Sequence, residues 1–395
     1  MQDALQQLGV RCTLGQTTDE LVVDGTGRKQ LLTDDPAGNL AEFYVANSGT
    51  TIRFLTAYLS ALGGDYRLHG VTRMHQRPIG ELVTALASIV DGIVQTESPN
   101  GCPPVRIRSH GWHGGTISVD GQISSQFLSG LLLAAPLSDR DCRIEVTGQL
   151  VSRPYVRMTC KIMQDFGVDL RFDPDLQWFE IPAGAAYQSS TYEIEPDASA
   201  ASYFWAAAAI TGGRVTVEGL RKDALQGDVA FVDVLQQMGC IVTHQSDGIA
   251  VQGGSLRGID VDMNAISDTV QTLAVVALFA EGPTRVRGVA HNRFKETDRI
   301  ADLACELRKL GARAEETSDG LSIFPLTDQQ IERFAGATLE TYDDHRMAMS
   351  LALAGLRLPQ VQIQNPACTA KTYPNFFFDL ETLLGRPHHW KTTPA

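Results

Sequence analysis

The chain has 395 residues, with 33 Lys plus Arg against 46 Asp plus Glu and a formal net charge of −13 at pH 7. That length exceeds what one hydrophobic core usually supports, so two domains are expected, and the acidic balance argues against a nucleic-acid or anionic-membrane surface while leaving room for a local basic pocket. No run is long and apolar enough to span a bilayer, Met1 opens an amphipathic helix rather than a signal peptide, and the seven scattered cysteines form no CxxC pair; a cytoplasmic protein with reduced thiols and no metal site is expected.

The first amphipathic helix closes at Gly9, and a β hairpin follows over 9–25 (GVRCTLGQTTDELVVDG). A helix that is apolar nearly all round starts at Ser48 (SGTTIRFLTAYLSALGG), and an amphipathic helix is expected over 80–92 (GELVTALASIVDG). The same pair recurs as SSQFLSGLLLAAPLS from Ser124 and YVRMTCKIMQDFG up to Gly167, followed by a hairpin over 167–184. Next come DASAASYFWAAAAITGG from Asp197, DVAFVDVLQQMG up to Gly239, and a hairpin over 239–254 turning on Ser-Asp-Gly. The fifth pair is SDTVQTLAVVALFAEG from Ser267 and RIADLACELRKLG up to Gly311, with a second Ser-Asp-Gly hairpin over 311–325. The last is DDHRMAMSLALAGLRL from Asp343 with NFFFDLETLLG up to Gly385.

Each apolar helix opens on Ser or Asp, side chains that cap free N–H groups, and each amphipathic helix ends on a Gly suited to the left-handed closing position. Helix-closing glycines at 9, 92, 167, 239, 311 and 385 make the chain an internal repeat of strand, buried helix, strand, amphipathic helix and hairpin. Three repeats per domain give domains over 1–194 and 195–385, with a seam near Tyr192–Pro196 and a polar tail over 386–395. Extrapolating the period backwards places a further buried helix about 25 residues before Met1, so the first repeat is expected to be truncated.

Helix N-termini offer free N–H groups and partial positive charge, so several core helices starting toward a common centre make an anion-binding chamber. Small, polar or charged residues sit at those starts: Asn47-Ser48-Gly49-Thr50, Ser124-Ser125-Gln126, Asp268 and Asp344-His345-Arg346. Arg53, Arg77, Arg153, Lys295, Arg299, Arg346 and Lys371 each interrupt an apolar or turn segment, and Arg forks match phosphate and carboxylate oxygens. Carboxylates lie beside them, Asp268 at a helix start and Glu296 and Asp298 flanked by Lys295 and Arg299, so one site can hold both a base and an acid. No GxxxxGK[ST] loop, GxSxG elbow or GxGxxG after a strand is present, which disfavours NTP hydrolysis, serine hydrolysis and dinucleotide chemistry.

The segments NSGTTIRFL, RMHQRPIGELV, SSQFLSGLL, VSRPYV, VDMNAISD, KETDRI, DDHRMAMS and CTAKTYP, in this order over essentially the whole chain, closely resemble 5-enolpyruvylshikimate-3-phosphate synthases. The resemblance implies an α/β fold, a two-domain inside-out α/β barrel of six βαβαββ repeats, helices inside and sheet outside. It implies enolpyruvyl transfer from phosphoenolpyruvate to shikimate 3-phosphate, with phosphate released, by a monomer that needs no cofactor and has only small-molecule partners. By motif, Ser124, Ser125, Gln126, Ser152, Tyr155, Asp268, His291 and Lys295 correspond to contacts of shikimate 3-phosphate, and Gly49, Arg77, Gln126, Arg299, Arg346 and Lys371 to contacts of phosphoenolpyruvate. Asp268 is then the base for the attacking 5-hydroxyl, Glu296 the acid for the enol methylene, and glyphosate a competitor at Gly49.

Three positions depart from the family pattern. The PGSKSxSNR segment with its Lys is missing, so the chain as written is expected to be impaired; His291 stands where many members have Asn; and Phe54 replaces a frequent Pro. Two alternatives remain open. One is the sister family acting on UDP-N-acetylglucosamine, which usually carries a reactive Cys in the loop that here reads Thr72-Arg73-Met74-His75-Gln76. The other is a non-catalytic anion-binding remnant.

Overall fold

The computed structural model describes residues 1–15, 17, 19–26 and 40–385, so the tail expected over 386–395 lies outside the described residues. The chain divides into two compact units: Met1–Glu193 together with Phe294–Glu296, and Ile194–Arg293 together with the chain from Thr297 onward.

Within the first unit, strand Ala41–Tyr44 runs parallel to Gly64–His69, which pairs antiparallel with Val105–Trp112, and that strand in turn with Val90–Thr96. A parallel pair needs a long crossover, and helix Gly49–Leu62 supplies it. Strands Gly115–Asp120, Cys142–Thr147, Trp178–Ile181 and Arg171–Phe172 repeat the same order around helix Ser125–Ala134. In the second unit, Asp260–Asp262, Thr284–Arg287, Leu321–Phe324 and Arg313–Glu316 do so again. The other elements carry parts of this pattern: hairpin Arg11–Leu14 with Leu21–Asp24, the antiparallel trio Arg214–Glu218, Gly248–Gln252 and Ile241–His244, and the parallel pair Ala337–Leu339 and Val361–Ile363. Both Ser-Asp turns close as hairpins, with Gln245 N–H donating to the Gly248 carbonyl at 2.8 Å and Thr317 N–H to the Gly320 carbonyl at 2.9 Å.

The apolar helices form the cores. Helix Gly49–Leu62 buries Ile52, Leu55 and Leu59, each worth about 1.5–3 kcal/mol when removed from water. Two of its buried hydroxyls are satisfied within the helix, Thr56 donating to the Ile52 carbonyl at 2.7 Å and Ser60 to that of Ala57 at 2.8 Å. It lies close against Ser125–Ala134: a Cβ on Gly130 would stand 3.2 Å from the Arg53 carbonyl oxygen. In the second unit, helices Ala198–Thr211, Val270–Ala277 and His345–Ala352 are joined by a chain of hydroxyls, Ser202 to Thr272 and Thr272 to Ser350, each at 3.2 Å.

Two expected elements come out differently. The helix expected over 80–92 spans only Gly80–Leu86, because the β-branched residues Val90, Ile93 and Val94 are taken into strand Val90–Thr96. Gly92 sits at a register shift in that strand with φ 140°, where a Cβ would fall 2.1 Å from the Arg108 carbonyl oxygen; it serves a bulge rather than a helix end. The helix expected from Ser267 begins instead as a 3-10 turn, Asn264–Thr269, broken at Ile266, and turns α-helical at Val270. Here the Ser267 carbonyl accepts from the buried Asn292 amide at 2.8 Å.

Candidate active site

In the first unit, Ser48 caps helix Gly49–Leu62 by accepting from Thr51 N–H at 3.3 Å. The next residue, Gly49, leaves a space that Arg77 fills: a Cβ there would lie 2.4 Å from Arg77 Nη2 and 2.9 Å from its Cζ. Arg77 is 2% exposed. Its Nη1 donates to the Asn47 carbonyl at 2.8 Å and to Asn47 Oδ1 at 3.3 Å, and lies 3.6 Å from Glu296 Oε1. Arg73 donates to the Lys295 carbonyl at 3.2 Å, so Lys295 and Glu296 belong to this cluster.

Ser124 caps helix Ser125–Ala134, its Oγ accepting from Gln126 N–H at 3.3 Å; Ser125 is buried in the first turn. Arg53, from the neighbouring core helix, donates to Gln126 Oε1 at 2.7 Å, Ser124 Oγ at 3.3 Å and the Pro78 carbonyl at 3.1 Å. Burial, and then the charge of Arg77, push the Arg53 guanidinium down to about 9, which leaves it charged at neutral pH. Gln126 Nε2 donates to Thr50 at 3.0 Å, tying this group to the Gly49 turn. Ser152 and Tyr155 stand one element away. Ser152 is buried in left-handed conformation (φ 52°) ahead of helix Arg153–Asp165, and Tyr155 is half-buried in that helix, whose Thr159 meets Ser129 at 2.8 Å.

In the second unit Arg299 is 2% exposed and grips the fully buried Asp344, Nε to Oδ2 at 2.7 Å and Nη2 to Oδ1 at 3.2 Å. Its remaining Nη1 reaches Asp268 Oδ1 at 3.0 Å, while Arg346 Nη2 reaches Asp268 Oδ2 at 2.8 Å. Asp268, Arg299 and Arg346, drawn from three separate segments, thus form one network, and Asp344 also caps helix His345–Ala352 by accepting from Arg346 N–H at 2.8 Å. Burial, followed by the charge of Arg346, pushes His345 down to about 3, so this buried imidazole is neutral. Lys371 is exposed at the end of the 3-10 helix Pro366–Lys371, and its charge also disfavours protonation of His345. His291 is buried in the 3-10 turn Ala290–Phe294, and the carbonyl of the adjacent Asn292 accepts from Arg299 N–H at 3.2 Å.

The turn feeding Asp344 is itself unusual. Tyr342 and Asp343 take φ of 55° and 56°, left-handed values that cost non-glycine residues on the order of 1 kcal/mol or more. It is held by the fully buried Glu306, which accepts from Tyr342 OH at 2.7 Å and Glu340 N–H at 3.0 Å, and by Asn365, which donates to Asp343 Oδ1 at 3.0 Å.

A family model described as EPSP synthase (3-phosphoshikimate 1-carboxyvinyltransferase) matches residues 1–380. The chain belongs to the EPSP synthase family. It is 46% identical over 384 residues to the 3-phosphoshikimate 1-carboxyvinyltransferase of Trichormus variabilis, covering 97% of this chain and 87% of that one. The corresponding protein of Vibrio campbellii is 43% identical with the same coverage. Among solved structures, EPSP synthase from Acinetobacter baumannii matches with a TM-score of 0.75 at 26% identity, covering 97% of this chain and 86% of that chain. This EPSP synthase family member has the family's two-domain mixed α/β fold.

Sequence reasoning singled out Arg53 as a basic residue without giving it a ligand, and it missed Glu306. The signal for Glu306 was present. It falls on the buried stripe of helix Ala301–Lys309, among Leu303, Ala304, Leu307 and Leu310, where a carboxylate needs a reason to be.

Proposed function

We propose that this chain transfers the enolpyruvyl group of phosphoenolpyruvate to the 5-hydroxyl of 3-phosphoshikimate, releasing phosphate, in aromatic amino-acid biosynthesis. The observation that carries the reading is the family match over residues 1–380, with relatives of that activity 43–46% identical over nearly the whole chain. In this reading Gly49, Arg77, Gln126, Arg299, Arg346 and Lys371 hold phosphoenolpyruvate, and Ser124, Ser125, Gln126, Ser152, Tyr155, Asp268, His291 and Lys295 hold 3-phosphoshikimate.

The buried guanidiniums supply what the chemistry needs, since fixed cations stabilise carboxylate and phosphate charge without reorganisation. Asp268 takes the proton of the 5-hydroxyl as its oxygen bonds to the central carbon of phosphoenolpyruvate, and Glu296 delivers a proton to the methylene carbon. The result is a tetrahedral intermediate with a methyl group. The Glu296 carboxylate left by that transfer takes back a methyl proton as the bond from the central carbon to the phosphate oxygen breaks, which restores the carbon–carbon double bond as an enol ether, and the proton held by Asp268 leaves with the phosphate. The enzyme works as a cytoplasmic monomer on small-molecule substrates.

Phosphate release measured with 3-phosphoshikimate and phosphoenolpyruvate tests the reading, UDP-N-acetylglucosamine serving as the competing acceptor. Turnover with the second acceptor alone overturns it, and sedimentation velocity tests the monomer.

A further inference from the structure

We propose that Arg53 is a positioning residue that turns Ser124 and Gln126 into hydrogen-bond donors toward an anionic substrate. The inference rests on the reading above for what the substrate is, but its geometry stands on the residues themselves.

Arg53 is 3% exposed on core helix Gly49–Leu62. A guanidinium can only donate. Its Nη1 lies 2.7 Å from Gln126 Oε1, a charge-assisted bond that fixes which end of the carboxamide faces inward. Turned over, the amide would set its NH2 against the guanidinium, donor to donor. The NH2 group of Gln126 is therefore directed away from Arg53, and it donates to Thr50 Oγ1 at 3.0 Å.

Ser124 is polarised in the same way. Its Oγ accepts from Arg53 Nη1 at 3.3 Å and from Gln126 N–H at 3.3 Å. With both lone pairs engaged, the hydroxyl proton is the part left to offer. Carboxylate and phosphate oxygens are acceptors only, so a Ser–Gln pair of ambiguous polarity becomes a pair of donors matched to them. Burying a guanidinium carries a desolvation cost, only partly offset by the Pro78 carbonyl at 3.1 Å and by the Phe127 ring, whose centroid is 5.1 Å away.

The test is a double-mutant cycle. Arg53→Met and Arg53→Lys are made in the native chain and in Gln126→Ala, and kcat and both KM values are measured. Arg53→Met should lower kcat/KM by about 10–100-fold in the native chain, mainly through KM, and by about 3–10-fold in Gln126→Ala, where Ser124 alone of the pair is left for Arg53 to orient. Arg53→Lys, which keeps the charge but not the fork, should recover part of the loss. In protein labelled with 15N-glutamine, the carboxamide signal identified by its loss in Gln126→Ala should shift and exchange faster with water in Arg53→Met. An equal loss in both backgrounds, or an unmoved Gln126 signal, overturns the proposal. Should Arg53→Met fail to fold, Arg53→Lys carries the same comparison. Should the native chain turn nothing over, the fault lies with the proposed function, and the Gln126 signal alone decides the role of Arg53.

Discussion

Replacing Gly49 by Ala puts a methyl group where the Arg77 guanidinium lies. The added Cβ would be 2.4 Å from Nη2 and 2.9 Å from Cζ, so the guanidinium must retreat by about 1 Å to restore ordinary contact. Retreat is constrained by the bond of Nη1 to the Asn47 carbonyl at 2.8 Å. A displaced Arg77 loses a charge-assisted bond to the substrate, worth about 1.5–3 kcal/mol, which is about 10–150-fold in affinity. Steady-state phosphate release with 3-phosphoshikimate saturating should show the KM for phosphoenolpyruvate rising by that factor, with the KM for 3-phosphoshikimate within about 3-fold of native. Melting temperature should fall modestly, since crowding the buried Arg77 costs about 1–3 kcal/mol and the helix preference for Ala over Gly, at most about 1 kcal/mol, offsets only part of it. Glyphosate inhibition should weaken in parallel. A KM for phosphoenolpyruvate within about 2-fold of native would refute the reasoning, because Arg77 could then yield without losing its ligand.

Asp344→Asn removes the fully buried one of the two carboxylates on Arg299, leaving Asp268, and weakens the cap on Arg346, so urea unfolding should register a loss of about 3 kcal/mol; a loss below about 1 kcal/mol would mean the pair is structurally dispensable. Asp268→Asn should lower kcat by about 10²–10⁴-fold with smaller changes in KM, whereas altered KM with intact turnover would reduce Asp268 to an ion-pair partner of Arg299 and Arg346. His345 bears on acid stability. Its folded value near 3 lies below the unfolded 6.5, so between those limits the unfolded chain binds the extra proton and stability falls as pH falls, by up to about 1.4 kcal/mol per pH unit. His345→Gln should flatten that slope in urea titrations between pH 6.5 and 4, and an unchanged slope would show that His345 does not titrate differently on unfolding.

The repeat was legible because burial writes itself into sequence. A helix enclosed on all sides, such as the one over Ala198–Thr211, has to be apolar nearly all round, and helices Gly49–Leu62, Ser125–Ala134 and Val270–Ala277 share that pattern. The segment after Leu86 was misread because ASIVDGIVQ satisfies a helical stripe and a β-branched strand at once, and only the pairing of Val94 with Ile107 decides between them. At the site, residue types were visible and their convergence was not. Arg77, Arg299 and Lys371 look alike as isolated cations, yet the first two are each 2% exposed and committed to particular carboxylates or carbonyls, while Lys371 is exposed. Nothing in the spacing from 268 to 299 to 346 announces that three segments meet on one carboxylate, because that meeting is made by packing between strands and helices rather than along the chain.

The consecutive left-handed residues Tyr342 and Asp343 have an evolutionary consequence. Glycine at either position would relieve backbone strain, and it would also slacken the turn that delivers Asp344 and Arg346. Backbone relief and the side-chain contacts of Tyr342 with buried Glu306 and of Asp343 with Asn365 therefore pull against each other at two adjacent codons. A lineage moving into hotter water would have to gain its stability elsewhere, in the strands and surface helices, and leave this corner as costly as it is.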